Sequence, residues 1–236
     1  MARIIEELSV FFPTYNEEGT IRTTVENARK VLLRIAEKWE ITIVNDGSSD
    51  RTGEIAGRLS EKDKRIRVID HAPNRGYGAA LKSGFYNSQY SWIAFTDSDG
   101  QFDFSEVTNF IEKQRETGAD LVIGYYKKRR VSFFKILTSR LWELTVFALF
   151  GLKARDIDCG FKLISKKVID TIPKLESERG AFISSELLIK ARRGGFKIVE
   201  IPVTHYPRPR GVGTGRKLNV IIKSFLDLFK LWGKLC

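Results

Sequence analysis

Residues 97–101 read Asp-Ser-Asp-Gly-Gln and follow the apolar run Trp92–Thr96. Side chains alternate along a strand, so Asp97 and Asp99 can point to one side as the chain leaves a sheet. Hard oxygen donors of this kind suit Mg2+ or Mn2+. Such ions keep bound waters and take one or two carboxylates, with substrate phosphates completing the shell. An acidic turn uses the same residue types, so the other strand ends have to be read alongside it.

Asn45-Asp46-Gly47-Ser48-Ser49-Asp50 closes a second apolar run, Ile41–Asn45. Ser49 or Asp50 can cap a following helix and Gly47 can supply a turn, but neither role explains Asp46. A carboxylate leaving the strand there is placed to accept hydrogen bonds from a base or a ribose. Pro13-Thr14-Tyr15-Asn16-Glu17-Glu18 closes a third run, Ser9–Thr14. Asn16 can cap the next helix, and Tyr15 beside an acid is suited to stacking on a nucleoside. Asn74-Arg75-Gly76-Tyr77-Gly78 lacks both G-x-G-x-x-G and the Walker pattern, and reads as a tight turn.

The elements that would position these loops are short apolar strands alternating with amphipathic helices. Strands are expected at Ser9–Thr14, Ile41–Asn45, Ile66–Ile69, Trp92–Thr96 and Asp120–Gly124. Helices are expected over Glu18–Lys38, Thr52–Lys62, Gly78–Ser88 and Phe104–Thr117. Strict alternation implies a parallel sheet with helices on both faces, which binds ligands at the carboxyl ends of its strands. Four polar loops would then share one cleft. Later in the chain, Phe133–Leu152 and Lys217–Leu235 read as amphipathic helices, with another around Ser184–Arg193. In the last of these, Lys223, Asp227, Lys230 and Lys234 form a polar stripe, while Leu218, Ile221, Ile222, Phe225, Phe229 and Trp232 face the other way.

Composition narrows the class. The 236 residues are 42 % hydrophobic, enough for a sizeable core and against disorder. No window offers the eighteen or so uninterrupted apolar residues of a membrane span, and the N-terminus shows no basic-then-apolar leader. Two cysteines and two histidines without metal-ligand spacing argue against a disulfide framework and against zinc, and fit a reducing compartment. A net charge of +11 implies an anionic partner: nucleic acid, an anionic membrane surface or a phosphorylated substrate.

Taken in order, PTYNEE, NDGSSD, DSDGQFD and DCGFK resemble the motifs of family 2 glycosyltransferases. The likeness runs from about Leu8 to Leu218 and is greatest to the branch holding the dolichyl-phosphate mannose and glucose synthases. It implies a GT-A (Rossmann-like) α/β fold: a mixed, mainly parallel sheet flanked by helices, with a C-terminal amphipathic helix. Residues 1–215 would form the catalytic domain and 216–236 a helix suited to a membrane interface. Pro13, Tyr15, Glu17, Val44 and Asp46 would line a nucleotide pocket, and Asp97 and Ser98 would contact ribose and diphosphate. Asp99 and Gln101 would bind Mg2+ or Mn2+. Arg210 and Lys217 match the family's late basic element. Where the family commonly has Asp, this chain has Asn45.

The implied reaction is inverting transfer of a hexose from a UDP- or GDP-sugar to a polyprenyl phosphate, at the cytosolic face of a membrane. An anionic acceptor needs cationic positioning rather than a base, and Arg129, Arg130 and Arg140 are the candidates. The catalytic set is Asp97, Asp99, Arg140 and Asp158. Asp158 would serve as general base if the acceptor were a glycan hydroxyl instead. A nucleic-acid-binding module accounts for the charge but leaves the acidic strand ends unexplained, since carboxylates in a cleft repel phosphate backbones. No nucleic-acid partner is therefore expected.

Overall fold

A computed structural model describes residues 4–127, 133–178, 180, 182–208 and 218–235, and the side chains within those stretches except 133–140, 218–225 and 235. Seven strands form one sheet: β1 Ile5–Thr14, β2 Ala36–Asn45, β3 Ile66–Asp70, β4 Trp92–Phe95, β5 Leu121–Tyr126, β6 Lys162–Ser165 and β7 Ile198–Val203. Among them lie helices α1 Ile21–Ile35, α2 Thr52–Lys62, α3 Tyr77–Asn87, α4 Val107–Thr117, α5 Phe133–Phe150, α6 Lys166–Thr171, α7 Phe182–Arg193 and α8 Leu218–Leu235. The strand order is β3-β2-β1-β4-β6-β5-β7, and every pairing is parallel except those of β6 with β4 and β5.

Alternation along β1 shows how the sheet divides its core. Val10 and Phe12 pack with α1, α2 and α4, whereas Phe11 packs on the other face with α3, α5, α7 and α8. The Phe11 ring stacks on Phe95 at 5.1 Å and meets Phe85 edge-on at 5.0 Å, tying β1, β4 and α3 together. From β1 the chain winds outward through β2 to β3, then returns across the sheet to β4 on the other side of β1. The carboxyl ends of β1 and β4 are therefore neighbours at the point where the winding reverses, which is where such sheets form a crevice.

Two boundaries differ from those expected. The helix expected to reach Lys38 ends at Ile35, and β2 starts at once at Ala36. The charged start of that strand pairs with the equally charged start of β1, with Glu7 opposite Lys38 and their side chains 3.0 Å apart. The successive charges Glu37 and Lys38 hid the strand character of β2. In α8 the apolar residues divide between two sides. Leu228 and Leu231 enter the second core, while Phe229 and Trp232 are exposed. Among the described residues no helix is long and apolar enough to cross a membrane.

Candidate active site

The loops after β1 and β2 are sewn together by side chains. Asn16 takes a left-handed φ of 55°, and its Oδ1 accepts from Ser49 N at 2.8 Å while its own N–H donates to Ser48 Oγ. Glu17 N donates to Thr52 Oγ1 at 2.8 Å, and Glu18 N to Asp50 Oδ2 at 3.1 Å. The serines and aspartates of NDGSSD thus hold the PTYNEE loop. Tyr15, at its tip, is 44 % exposed.

Asn45 accounts for its own departure from the family pattern. Its Nδ2 donates to Asp70 Oδ1 at 2.7 Å, bridging β2 to β3, and its Oδ1 accepts from Ser48 N. An aspartate there would bring two acceptors face to face.

Asp46 is buried and its carboxylate is engaged on both oxygens. Oδ1 meets His71 Nδ1 at 2.6 Å and Arg75 N at 3.0 Å; Oδ2 takes Asn74 Nδ2 and Gly76 N, both at 2.8 Å. The aspartate therefore latches the turn that leads into α3. A Cβ on Gly47 would stand 2.6 Å from Asn74 N, so only glycine allows the two turns to touch. Pro13 and Val44 are buried neighbours on β1 and β2 below these loops.

At the end of β4 the acids divide. Ser98 is buried and its Oγ donates to Pro13 O at 2.9 Å, clamping the two central strand ends. Tyr77 at the start of α3 donates from its hydroxyl to Asp97 Oδ1 at 3.0 Å. Burial, with the Asp99 charge adding to it, pushes the Asp97 carboxyl up to about 7 against the pull of Tyr77, Lys162 and Arg208. Opposite lies DCGFK, where a Cβ on Gly160 would fall 2.3 Å from Asp97 Oδ2. Lys162, fully buried, donates to the Cys159 carbonyl and stands 5.5 Å over the Phe95 ring. Burial pushes its ammonium down, opposed by Cys159, Asp158, Asp156 and Asp97. Asp158 is exposed at the edge of this group, and Cys159 is buried.

Asp99 turns the other way. Its Oδ1 accepts from Gln101 N at 3.0 Å, and its Oδ2 accepts from Arg208 Nη2 at 3.1 Å. The same nitrogen donates to Glu17 Oε1 at 2.8 Å. Burial raises the Glu17 carboxyl, and Arg208 opposes the rise. Gln101 and Tyr206 exchange two bonds: Tyr206 N to Gln101 O, and Gln101 Nε2 to Tyr206 O, each 2.9 Å. The Gln101 side chain thereby engages its amide nitrogen, while its backbone N–H faces Asp99. Asp103 lies outside the group, its carboxylate accepting from Ser105 N at the turn before α4.

The donor set fits a hard divalent cation. Two nearly buried carboxylates, Glu17 and Asp99, already hold a cation in the form of a guanidinium, and Gln101 adds an oxygen. Among the described residues no three His, Cys, Asp or Glu side chains form a ready-made metal cluster, so phosphate or water oxygens would have to complete the shell.

Of the other residues singled out in the sequence, Arg140 lies on α5, its side chain outside those described. Arg129, Arg130, Arg210 and Lys217 lie outside the described residues. Tyr77, Lys162 and Gly160 had no assigned role there, and Arg208 stood only among the late basic residues suited to charge stabilisation. The signal for Gly160 and Lys162 was present in DCGFK, a glycine and a lysine following an aspartate. Nothing in the local sequence marks Arg208 above its basic neighbours.

A doubly wound, mainly parallel sheet with acidic strand ends at its switch point defines an α/β fold of the Rossmann-like kind. The family model described as Glycosyl transferase family 2 matches residues 9–172, and the chain belongs to that family. It is 31 % identical over 216 residues to glycosyltransferase AglD of Haloferax volcanii, covering 86 % of this chain and 33 % of that protein. It is 30 % identical over 238 residues to a dolichyl-phosphate beta-glucosyltransferase of Trichomonas vaginalis, covering 95 % of this chain and 72 % of the relative. The chain thus spans a third of the first protein's length and nearly three-quarters of the second's. Glucosyl-3-phosphoglycerate synthase of Mycobacterium tuberculosis, crystallised with Mn2+, UDP-glucose and phosphoglyceric acid, shares the GT-A-like fold. Its TM-score is 0.74 at 19 % identity, over 97 % of this chain and 80 % of that one.

Proposed function

We propose that this glycosyltransferase moves a hexose, with inversion, from a UDP- or GDP-sugar to a polyprenyl phosphate, working from the cytosolic surface of an anionic membrane. The observation that carries the donor half is the Glu17–Arg208–Asp99 group at the β1/β4 crevice, two carboxylates built around a cation. The relative named as a dolichyl-phosphate glucosyltransferase supports the lipid acceptor. So does an apolar outer surface: Leu141, Leu144 and Phe147 on α5, and Leu226, Phe229 and Trp232 on α8, are all exposed, and the two helices pack together. With a net charge of +11, such a surface matches an anionic bilayer.

In this reading an oxygen of the acceptor phosphate attacks the anomeric carbon. The bond from that carbon to the donor diphosphate breaks on the opposite face, and the nucleoside diphosphate leaves with the electron pair. The acceptor is already anionic, so no side chain has to take a proton from it. Asp99 and Gln101 would hold Mg2+ or Mn2+, which would neutralise charge on the departing diphosphate. Tyr15 would cover the nucleoside, and the Asp46 latch would keep the base-side loops in register. Tyr77 and the space at Gly160 hold Asp97 at the sugar end of the crevice, with Lys162 as the buried counter-charge.

The test is a transfer assay with radiolabelled UDP-glucose and GDP-mannose, with undecaprenyl and dolichyl phosphate as acceptors and Mn2+ present. Label should partition into chloroform–methanol, and Asp99→Ala should abolish the signal. Label appearing only in a water-soluble glycan would replace the lipid phosphate by a hydroxyl acceptor and bring Asp158 forward as base.

A further inference from the structure

Arg208 occupies an unusual station for a site that has to accept a divalent cation. One of its nitrogens, Nη2, serves both Glu17 Oε1 at 2.8 Å and Asp99 Oδ2 at 3.1 Å. The arginine is three-quarters buried, at 24 % side-chain exposure, and each carboxylate is at 11 %. Neither acid can therefore rely on water for its neutralisation. The arginine itself is only partly satisfied there, because among the described residues its buried Nε has no hydrogen-bond partner. A guanidinium that rests for good in a polar cluster normally uses its fork of donors, and a buried donor left unpaired is costly. The segment that carries it is fastened to the metal-side loop through the two bonds between Tyr206 and Gln101, so the arginine is delivered to this place by backbone pairing.

We propose that Arg208 is a resident counter-cation that competes with the divalent metal for Asp99, so that the metal binds well only when a diphosphate arrives to draw the guanidinium away. The proposal rests on the donor-site reading above. A Mg2+ or Mn2+ ion bonds carboxylate oxygen at about 2.1 Å, closer than Nη2 now lies. Both cations on one Asp99 oxygen would repel strongly in a site this dry. Arg208 therefore has to yield Asp99, and a nucleoside diphosphate offers the planar fork an anion it can bind through two bonds. Occupation by metal and by nucleotide become coupled, and by linkage each tightens the other equally. The arrangement also keeps Glu17 and Asp99 neutralised between turnovers.

The experiment measures Mn2+ binding to the whole chain by the loss of the free-ion electron paramagnetic resonance signal, for wild type, Arg208→Gln and Arg208→Lys, without nucleotide, with UDP and with GDP. Wild type should bind Mn2+ weakly alone and much more tightly with one of the two nucleotides. Arg208→Gln should bind Mn2+ alone at least about 10-fold more tightly than wild type, the direction expected from removing a competing cation. Arg208→Lys, which keeps the charge, should stay near wild type. If Arg208→Gln binds Mn2+ alone no better than wild type while both bind it with that nucleotide, the competition is overturned and the donor site stands. If wild type takes up no Mn2+ with either UDP or GDP, the donor-site reading itself fails. A thermal melt with UDP and Mn2+ reports whether each variant is folded, and a misfolded Arg208→Gln passes the decision to Arg208→Met, judged in the same way.

Discussion

Gly160 faces Asp97 so closely that a Cβ there would lie 2.3 Å from the carboxylate Oδ2. The glycine of DCGFK is the space in which the first acid of DSDGQ sits. Gly160→Ala should push Asp97 off the Tyr77 hydroxyl while leaving the strands on either side intact. A displacement of about 1 Å at a reacting centre costs on the order of 100-fold in rate. Steady-state kinetics should show a loss of that size, with a thermal midpoint close to wild type. Activity within a few-fold of wild type would remove Asp97 from the set of residues whose position matters.

Asp97 also makes a prediction about pH. Its carboxyl is raised to about 7 by burial and by Asp99, from an ordinary value of 3.8 in the unfolded chain. The folded state then holds a proton that the unfolded state has released, so stability falls as pH rises from about 4 to about 7. Asp97→Asn removes the charge and keeps the acceptor for Tyr77. The variant should nearly match wild type at pH 4 and exceed it at pH 8 by about 4 kcal/mol, read from urea midpoints. Equal stabilities at both pH values would mean that the carboxylate is solvated. In the proposed reading, Asp97 trades stability for activity.

Five of the seven strands were legible from sequence, as at Ile41–Asn45 and Trp92–Phe95, whereas β6 and β7 were not among those expected. The start of β2 was not legible: Glu37 and Lys38 are two successive exposed charges between the buried Ala36 and Trp39, and they read as a helix end. Polar loops at strand ends revealed the crevice, because apolar-then-acidic switching is a local signal. The Arg208 contacts span 109 and 191 residues, and nothing in a basic tail shows which arginine returns to the site. Asp46 shows the complementary limit. Its type and place were readable, but the four donors that occupy its carboxylate come from residues 71–76, across α2 and β3. The exposed Phe229 and Trp232 lie on the aromatic face read from the sequence, whereas the buried Leu228 and Leu231 fall outside the residues assigned to that face.

The Glu186–Lys190 pair supports the site from behind. Glu186 accepts from the backbone N–H of Glu176 and Ser177, and Lys190, 2.6 Å away, also donates to Lys174 O. Together they pin the 174–178 loop, whose Glu178 carbonyl accepts from Ala79 N in the first turn of α3, next to Tyr77. Burial alone would raise the Glu186 carboxyl, but Lys190 and the two N–H donors outweigh it and hold it below its ordinary 4.5. Its contribution is therefore present above pH 4.5 and lost as pH falls through the lower folded value. Lys190→Met strands a buried carboxylate and should cost about 3–5 kcal/mol at pH 7. The deficit should shrink in acid as Glu186 takes up a proton. Urea denaturation at pH 7 and pH 4 checks both halves, and a deficit independent of pH would assign the loss to packing alone.

The outer face of α5 and α8 gives the last prediction. Phe229 is 52 % exposed and Trp232 43 %, on a helix that already anchors itself through the buried Leu228 and Leu231. Replacing exposed side chains leaves the core unchanged, so Phe229→Ser with Trp232→Ser should keep the thermal midpoint within about 2 °C. Burial of each aromatic side chain in a bilayer interface contributes about 1.5–3 kcal/mol at most. Losing both should therefore reduce co-sedimentation with phosphatidylglycerol-containing vesicles by at least about 10-fold. Wild-type binding should also weaken when salt is raised or the anionic lipid is left out, as the positive net charge requires. If the double variant binds vesicles as wild type does, the membrane assignment of this face fails. A midpoint lowered by several degrees with vesicle binding intact would instead make it part of the packing.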